Sequence, residues 1–181
     1  MEKELFYQVS NKDLEKTFKS QLSQIKIMIY SKLNDINNIL DILPSNLCVC
    51  FILLQTSENS GHWTCLVRND TNIYYWDSYG VKPDGELSKI AKNVQYLLHE
   101  NTKALTRIIA SIPSNFNFQY NKIQFQEYSP KVNTCGKWTY IFTRSIFEGL
   151  TLKQFQQKMK TMKTTYNTSY DALACSLYKK I

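Results

Sequence analysis

A cysteine, a histidine and an aspartate stand in this chain in settings that suit acyl transfer. Cys135 lies in NTCGKW, where a short polar run gives way to the apolar stretch TYIF. A cysteine attacks as its thiolate, so it needs a lowered pKa or a neighbouring base. A helix beginning at Cys135 would place unpaired N–H groups and a favourable dipole there, and the same N–H groups can hold an oxyanion. Gly136 would leave room for a substrate to approach. The simpler reading is an ordinary buried thiol, and the choice turns on whether the chain supplies a base.

The chain has two histidines. His99 closes an amphipathic stretch beside Glu100, where a solvated face or a helix C-terminal dipole explains it. His62 sits in GHW, after a turn, at the start of an alternating segment; alone, it would be read as structural. Asp77, in YYWDSYG, ends the strand that follows the hairpin signal NDTN (69–72), so it and His62 fall on two paired strands. A carboxylate there can orient an imidazole and stabilise its charged form. Its bland role is an Asx turn with Ser78, Tyr79 and Gly80. Gln124 and Gln126 alternate in NKIQFQEY and would share one strand face, from which either could donate to an oxyanion. Three of the five glycines, Gly61, Gly80 and Gly136, adjoin these residues.

The elements that must position these groups follow from periodicity. Ser10 or Asn11 can cap a helix running to about Ser20, with Leu14, Phe18 and Leu22 inward. IKIMIY (25–30) reads as a strand, and Ser31 caps a helix over 32–42 that ends before Pro44. CVCFILLQ (48–55) suits a strand buried on both faces. SENSG (57–61) reads as a turn, and HWTCLVR (62–68) and IYYWDSYG (73–80) as a hairpin pair. Residues 84–99 predict a helix with Leu87, Ile90, Ala91, Val94, Leu97 and Leu98 on one side. TRIIASI (106–112) and NKIQFQEY (121–128) predict further strands. Helical spacing resumes at Cys135 and ends at Gly149. Further helices follow over 152–162, with Leu152, Phe155, Met159 and Met162 inward, and over 169–178. The expected class is α+β: a central, mainly antiparallel or mixed sheet flanked by helices, in one domain spanning 1–181.

Composition narrows the function classes. The longest apolar run, CVCFILL (48–54), falls well short of the roughly 20 residues of a membrane span, and the charged start MEKELFYQ lacks a signal-peptide core. Both argue for an intracellular protein with no membrane partner. Five cysteines in such a chain argue for reduced thiols. Cys48 and Cys50 would share a strand face, but no second ligand pair follows at zinc spacing, so no metal is expected. The net charge of +7 is uneven: residues 1–100 carry −2 and residues 101–181 carry +9. The basic half favours an anionic partner such as DNA; a merely solvated basic surface is the plainer alternative.

In order along the chain, GHW, WDSYG, a glutamine and TCG resemble the adenain and Ulp1-type cysteine proteases. The likeness is strongest to the adenain-like maturation proteases of virophages, Polinton-type elements and large DNA viruses. Their pattern NSGHW, DSYG, Q and NTCG-[RK]-W is matched by residues 59–63, 77–80 and 133–138. The resemblance covers about residues 46–147. Papain-like enzymes place the cysteine before the histidine, so the order excludes them. The resemblance implies an adenain/Ulp1-like fold with His62 as general base, Asp77 as its orienting partner and Cys135 as nucleophile. It implies Gln126, with the Cys135 amide, as oxyanion donor, and Trp63 as a wall of the substrate cleft. The glutamine of many relatives lies nearer the cysteine, so EYSPKVNT must loop. No cofactor is implied.

The expected activity is that of a cysteine endopeptidase trimming capsid or other virion precursors, in the virion or the host cytoplasm. The resemblance adds DNA and an activating peptide as possible partners, with Cys175 as a conceivable docking cysteine. One alternative is a deubiquitinase or deSUMOylase with the same chemistry. Another is a basic nucleic-acid-binding protein on an inactive protease fold, against which the complete His–Asp–Gln–Cys set argues.

Overall fold

Apolar residues at every position of 48–54 leave that strand no face to give to water. The computed structural model, which describes residues 2–57 and 60–179, buries it inside a five-stranded sheet. The strands are β1 (Ile25–Ile29), β2 (Cys48–Ser57), β3 (Ser60–Asn69), β4 (Asn72–Asp77) and β5 (Asn117–Tyr120), in that spatial order. β2, β3 and β4 run antiparallel, and β1 and β5 join the two edges in parallel. The sheet is therefore mixed and the class is α+β. Residues 58 and 59 of the expected turn lie outside the described residues, as does the side chain of Leu22.

Alternation sends the side chains of β2, β3 and β4 to two buried faces. One face carries Val49, Phe51, Trp63, Cys65, Val67, Tyr74 and Trp76. It is covered by helices α2 (Asn11–Thr17), α6 (Cys135–Phe147), α7 (Leu152–Thr165) and α8 (Tyr170–Lys179). Trp76 stacks on Phe142 at 4.5 Å, and Phe155 meets both rings edge-on at 5.2 and 5.3 Å. Truncating one ring in such a cluster typically costs about 3–5 kcal/mol. The opposite face, with Cys50, Ile52, Leu66, Ile73 and Tyr75, packs on Tyr30, Leu33, Ile39, Leu105 and Ile108. Cys48 and Cys50 are buried on that side of β2.

The β3–β4 connection is the tight hairpin that NDTN predicts. Asn69 pairs with Asn72, and Asp70 takes a left-handed φ of 55°, which aspartate tolerates better than most residues. β4 stops at Asp77, and residues 77–80 form a turn in which the Gly80 N–H donates to the Asp77 carbonyl at 3.0 Å. Gly80 has φ 73°, and a Cβ there would meet the Ile123 carbonyl carbon at 2.7 Å. Only glycine lets the two backbones approach so closely.

Several expected elements differ. Residues 106–112 are not a strand. They lie in and just beyond a short helix, α5 (Ala104–Ile109), with Leu105 and Ile108 buried. Its first N–H groups are capped from a distance: Leu105 and Thr106 donate to the Asp84 carboxylate at 3.2 and 2.7 Å, and Ala104 donates to the Tyr30 hydroxyl at 2.9 Å. Residues 121–128 are irregular, because side chains and Ser78 occupy the backbone groups a strand would use. The 84–99 helix is split into a 3₁₀ turn (Gly85–Lys89) and α4 (Lys92–Leu97), with Ile90 extended between them. The break shifts the helical phase and leaves Leu97 79% exposed. The 32–42 helix is likewise a 3₁₀ turn (Tyr30–Asp35) followed by α3 (Ile39–Ile42), whose cap is Asn38 and not Ser31. Near the N-terminus α1 (Glu2–Phe6) precedes a segment without regular structure, 7–10. Among the described residues no helix is long and apolar enough to cross a membrane.

Candidate active site

Strand pairing brings the first two groups together. Thr64 on β3 faces Asp77 on β4, so His62, two residues earlier, is a diagonal neighbour of Asp77 on the same side. The His62 Nε2 lies 3.1 Å from Asp77 Oδ1. That oxygen also accepts the Tyr79 N–H at 2.7 Å, and the aspartate is fully buried. The ring's other nitrogen, Nδ1, is left for Cys135, whose thiol is electrostatically coupled to His62. The backbone N–H groups of Trp63 and Gly136 also favour the Cys135 thiolate.

These contacts set the charges. Burial pushes the Cys135 thiol up, but the hydrogen bond and charge of His62, with the two backbone N–H groups, bring its pKa below the ordinary value. Burial pulls His62 down, but the charge and hydrogen bond of Asp77, then Cys135, raise it to about 10. The pair therefore favours a thiolate beside an imidazolium. By contrast, burial raises Cys48 and Cys65, and takes Cys50 to about 12.

The helix that carries Cys135 packs on β3. The Thr139 hydroxyl lies between the two, 2.8 Å from the Cys135 carbonyl and 3.2 Å from the Trp63 carbonyl, and Trp138 and Phe142 are fully buried beneath it. Thr134 occupies the N-cap position without capping the helix, so the first-turn N–H groups keep their donor capacity. Cys135 itself is only 9% exposed. It is more enclosed than a thiol merely at a helix start, yet it lines two cavities that meet at it. One, of about 460 Å³, lies among residues 8–12, Leu53, Gly61 and Trp63. The other, of about 350 Å³, is lined by His62, Tyr79, Gln126, Tyr128 and Val132.

The two glutamines part company. Since 121–128 is not a strand, they share no strand face. Gln126 is 2% exposed and lines the cavity beside Cys135. Gln124 is exposed, and its amide donates to the Gln126 carbonyl at 2.9 Å. The Phe125 and Gln126 N–H groups both donate to the Ser78 carbonyl, at 2.7 and 3.0 Å, and the Ser78 hydroxyl donates to Gln126 Oε1 at 2.8 Å. Gln126 Nε2 donates to the Val132 carbonyl at 2.9 Å and to the Tyr79 hydroxyl at 3.2 Å. A carbonyl can only accept, so the amide orientation is fixed. The Asp77–Ser78–Tyr79 turn thus holds both the imidazole and the glutamine amide. Tyr79 also stacks on His62, with centroids 4.6 Å apart. In the sequence Ser78 and Tyr79 read as a turn only, and their adjacency to Asp77 is the one signal of a wider role.

Trp63 walls the larger cavity and is also a core residue, its Nε1 donating to the Val9 carbonyl at 2.8 Å. Gly136 departs from expectation. A Cβ there would meet Val9 Cβ at 2.6 Å and Trp63 at 3.1 Å, so its missing side chain admits the N-terminal segment and not a substrate. That segment is tied over the start of α6: Leu5 O accepts the Asn133 N–H at 2.7 Å and Tyr7 O accepts Lys137 Nζ at 2.6 Å. His99 is exposed and outside the site. Cys175 is buried, unlike a cysteine offered for docking. Among the described residues no group of three or more His, Cys, Asp or Glu is placed to hold a metal.

No protein-family model matches the chain. The chain is 28% identical over 153 residues to uncharacterized protein V9 of Sputnik virophage, covering 83% of this chain and 84% of that protein.

Proposed function

We propose that this chain is a cysteine endopeptidase of the adenain-like kind, acting on capsid or other virion precursors of a virus-like element. One observation carries the reading: His62 pairs with Asp77 at 3.1 Å, couples to the Cys135 thiol, and shares with it a groove that also holds the Gln126 amide. The similarity to a virophage protein supports the setting. The Cys135 thiolate attacks the scissile carbonyl, and the new carbon–sulfur bond pushes the carbonyl electrons onto oxygen. The Cys135 N–H and Gln126 Nε2 receive that oxyanion. The His62 imidazolium gives its proton to the amine as the carbon–nitrogen bond breaks. Neutral His62 then takes a proton from water, which hydrolyses the thioester and regenerates Cys135. Asp77 keeps the ring oriented throughout. As a test, a peptide library made by digesting a whole proteome is incubated with the protein, and new N-termini are sequenced. Cleavage at a consistent motif by the wild-type protein is expected; no new termini would sink the reading.

The glutamine contributes a separable effect. Both Gln126 N–H groups are engaged, and the longer bond to Tyr79 is the one to exchange for an oxyanion. Gln126→Ala should lower kcat by roughly 10²–10³ with little change in KM, as for loss of one oxyanion donor. Gln124→Ala should stay within about a few-fold of wild type, since its side chain faces solvent. Steady-state kinetics on the library peptide cut fastest decide this; the reverse pattern would remove Gln126 from the role.

A second property, contact with nucleic acid, is favoured by the surface of α7. Leu152, Phe155 and Met159 face the core while Lys153, Lys158, Lys160 and Lys163 are all exposed. Duplex DNA should bind with an affinity that falls steeply with salt, and Lys158→Gln/Lys160→Gln should flatten that slope. A salt-independent or absent interaction in a filter or anisotropy assay would contradict it.

A further inference from the structure

We infer that Asp171 is a positioning residue that aligns the Gln126 amide with Cys135, an inference that rests on the hydrolase reading above. The problem it solves is visible in the chain. Residues 127–134, EYSPKVNT, separate Gln126 from Cys135 and form no regular element, and their internal bonds, from the Val132 and Lys131 N–H groups to Ser129, tie only the middle of the loop and not its two ends. Asp171, the second residue of α8, closes the loop from outside. Its Oδ2 accepts the Glu127 N–H at 3.0 Å, and its Oδ1 accepts the Thr134 hydroxyl. Glu127 directly follows Gln126, and Thr134 directly precedes Cys135. One carboxylate therefore clasps both ends of the loop, at the two residues next to the working groups.

The side chain is spent on the loop. Asp171 lies in the first turn of α8, where an acid normally serves its own helix, yet it is only 6% exposed. The helix is capped instead by Ser169, whose hydroxyl accepts the Ala172 N–H at 3.1 Å. Thr134, at the N-cap position of α6, gives its hydroxyl to Asp171 and not to the helix it precedes. Gln126 has its own supports at Ser78 and Val132, and Val132 belongs to the same clasped loop. Loosening the loop therefore moves the acceptor that aims Gln126 Nε2. Cys135 is held independently of the loop, because α6 contacts β3 through the Thr139 hydroxyl and the Trp63 carbonyl.

The two functions of the site respond differently, which makes the inference testable. Amide hydrolysis needs the thiolate and the oxyanion donors. Alkylation of the thiolate by iodoacetamide is a displacement at carbon with loss of iodide; it forms no oxyanion and needs only the Cys135–His62 pair. Asp171→Asn keeps the shape but replaces one acceptor oxygen with a donor. On the library peptide cut fastest, it should lower kcat by about 10- to 100-fold, the scale of a misplaced reacting group, with KM within about two-fold. The iodoacetamide rate at Cys135 and its pH profile should stay within about two-fold of wild type. Thr134→Val, which removes one arm of the clasp, should act in the same direction, and Thr134→Ser should restore wild-type kcat. An unchanged kcat in Asp171→Asn, or an alkylation rate that falls in parallel with kcat, would overturn the inference. Should Asp171→Asn fail to fold, Thr134→Val decides on the same two readouts. Failure of the wild-type protein to cleave any peptide would instead overturn the hydrolase reading, and the clasp's role with it.

Discussion

In the proposed endopeptidase, Cys135→Ala should reduce peptide cleavage to background, a loss of about 10⁴-fold or more, while the protein remains folded. The loss is large because the bond-forming atom is gone and neither His62 nor Gln126 can replace it. The fold survives because α6 is held elsewhere: by buried Trp138 and Phe142, and by the Thr139 contact with β3. The sulfur borders two cavities, so its removal enlarges existing space and opens no sealed void. The unfolding midpoint should stay within about 4 °C of wild type, on the scale of roughly 1 kcal/mol in a chain of this size. Cleavage measured by new termini, beside a thermal melt, checks both halves. Residual cleavage above about 1% of wild type would place the chemistry on another residue.

His62→Ala will be as damaging as Cys135→Ala, and the double variant hardly worse than either, because members of one catalytic unit are not additive. His99→Ala should leave kcat unchanged, since that side chain is exposed and outside the groove. Asp77→Asn should cost less than His62→Ala, because it removes orientation and charge but leaves the base. His62→Ala also strands the buried Asp77 carboxylate, so it should lower stability more than Cys135→Ala does. The pH dependence follows in sign. His62 is raised in the folded protein from 6.5 to about 10. Its contribution to stability is therefore fully present below about pH 6.5 and lost as pH rises through about 10. The stability gap between wild type and His62→Ala should narrow across that interval in denaturant titrations. A gap that widened with pH would mean that the imidazole is held neutral.

The middle of the sheet was readable because its signals are local. CVCFILL has no polar face, HWTCLVR alternates, and NDTN allows a two-residue loop, so β2, β3 and β4 follow, and with them the meeting of His62 and Asp77. The onset of α6 at Cys135 and its end near Gly149 were equally local. What could not be read depends on distant partners. TRIIASI carries β-branched residues that suit a strand, but Asp84 and Tyr30 cap its start as a helix, and Arg107 donates to the Leu33 and Ile36 carbonyls. NKIQFQEY alternates, but Asn121 bonds the Asp77 and Ile123 carbonyls, and Ser78 takes the Phe125 and Gln126 N–H groups. The choice between Gln124 and Gln126 was open for that reason. Gly136 was misjudged because nothing nearby in sequence announces Val9, more than a hundred residues upstream.

The rate of iodoacetamide alkylation at each cysteine as a function of pH tests most directly whether His62 holds Cys135 as a thiolate. Limiting reagent is applied to the native protein, and adducts are mapped by peptide mass. The five cysteines are all buried, but burial raises Cys48, Cys50 and Cys65 while His62 lowers Cys135. Cys135 should react first by a wide margin, with the inflection of its rate below the ordinary thiol value of 9.0, and His62→Ala should move that inflection upward. Faster labelling of Cys48, Cys50 or Cys65, or a Cys135 profile that rises only near the ordinary thiol value and ignores His62→Ala, would contradict that assignment.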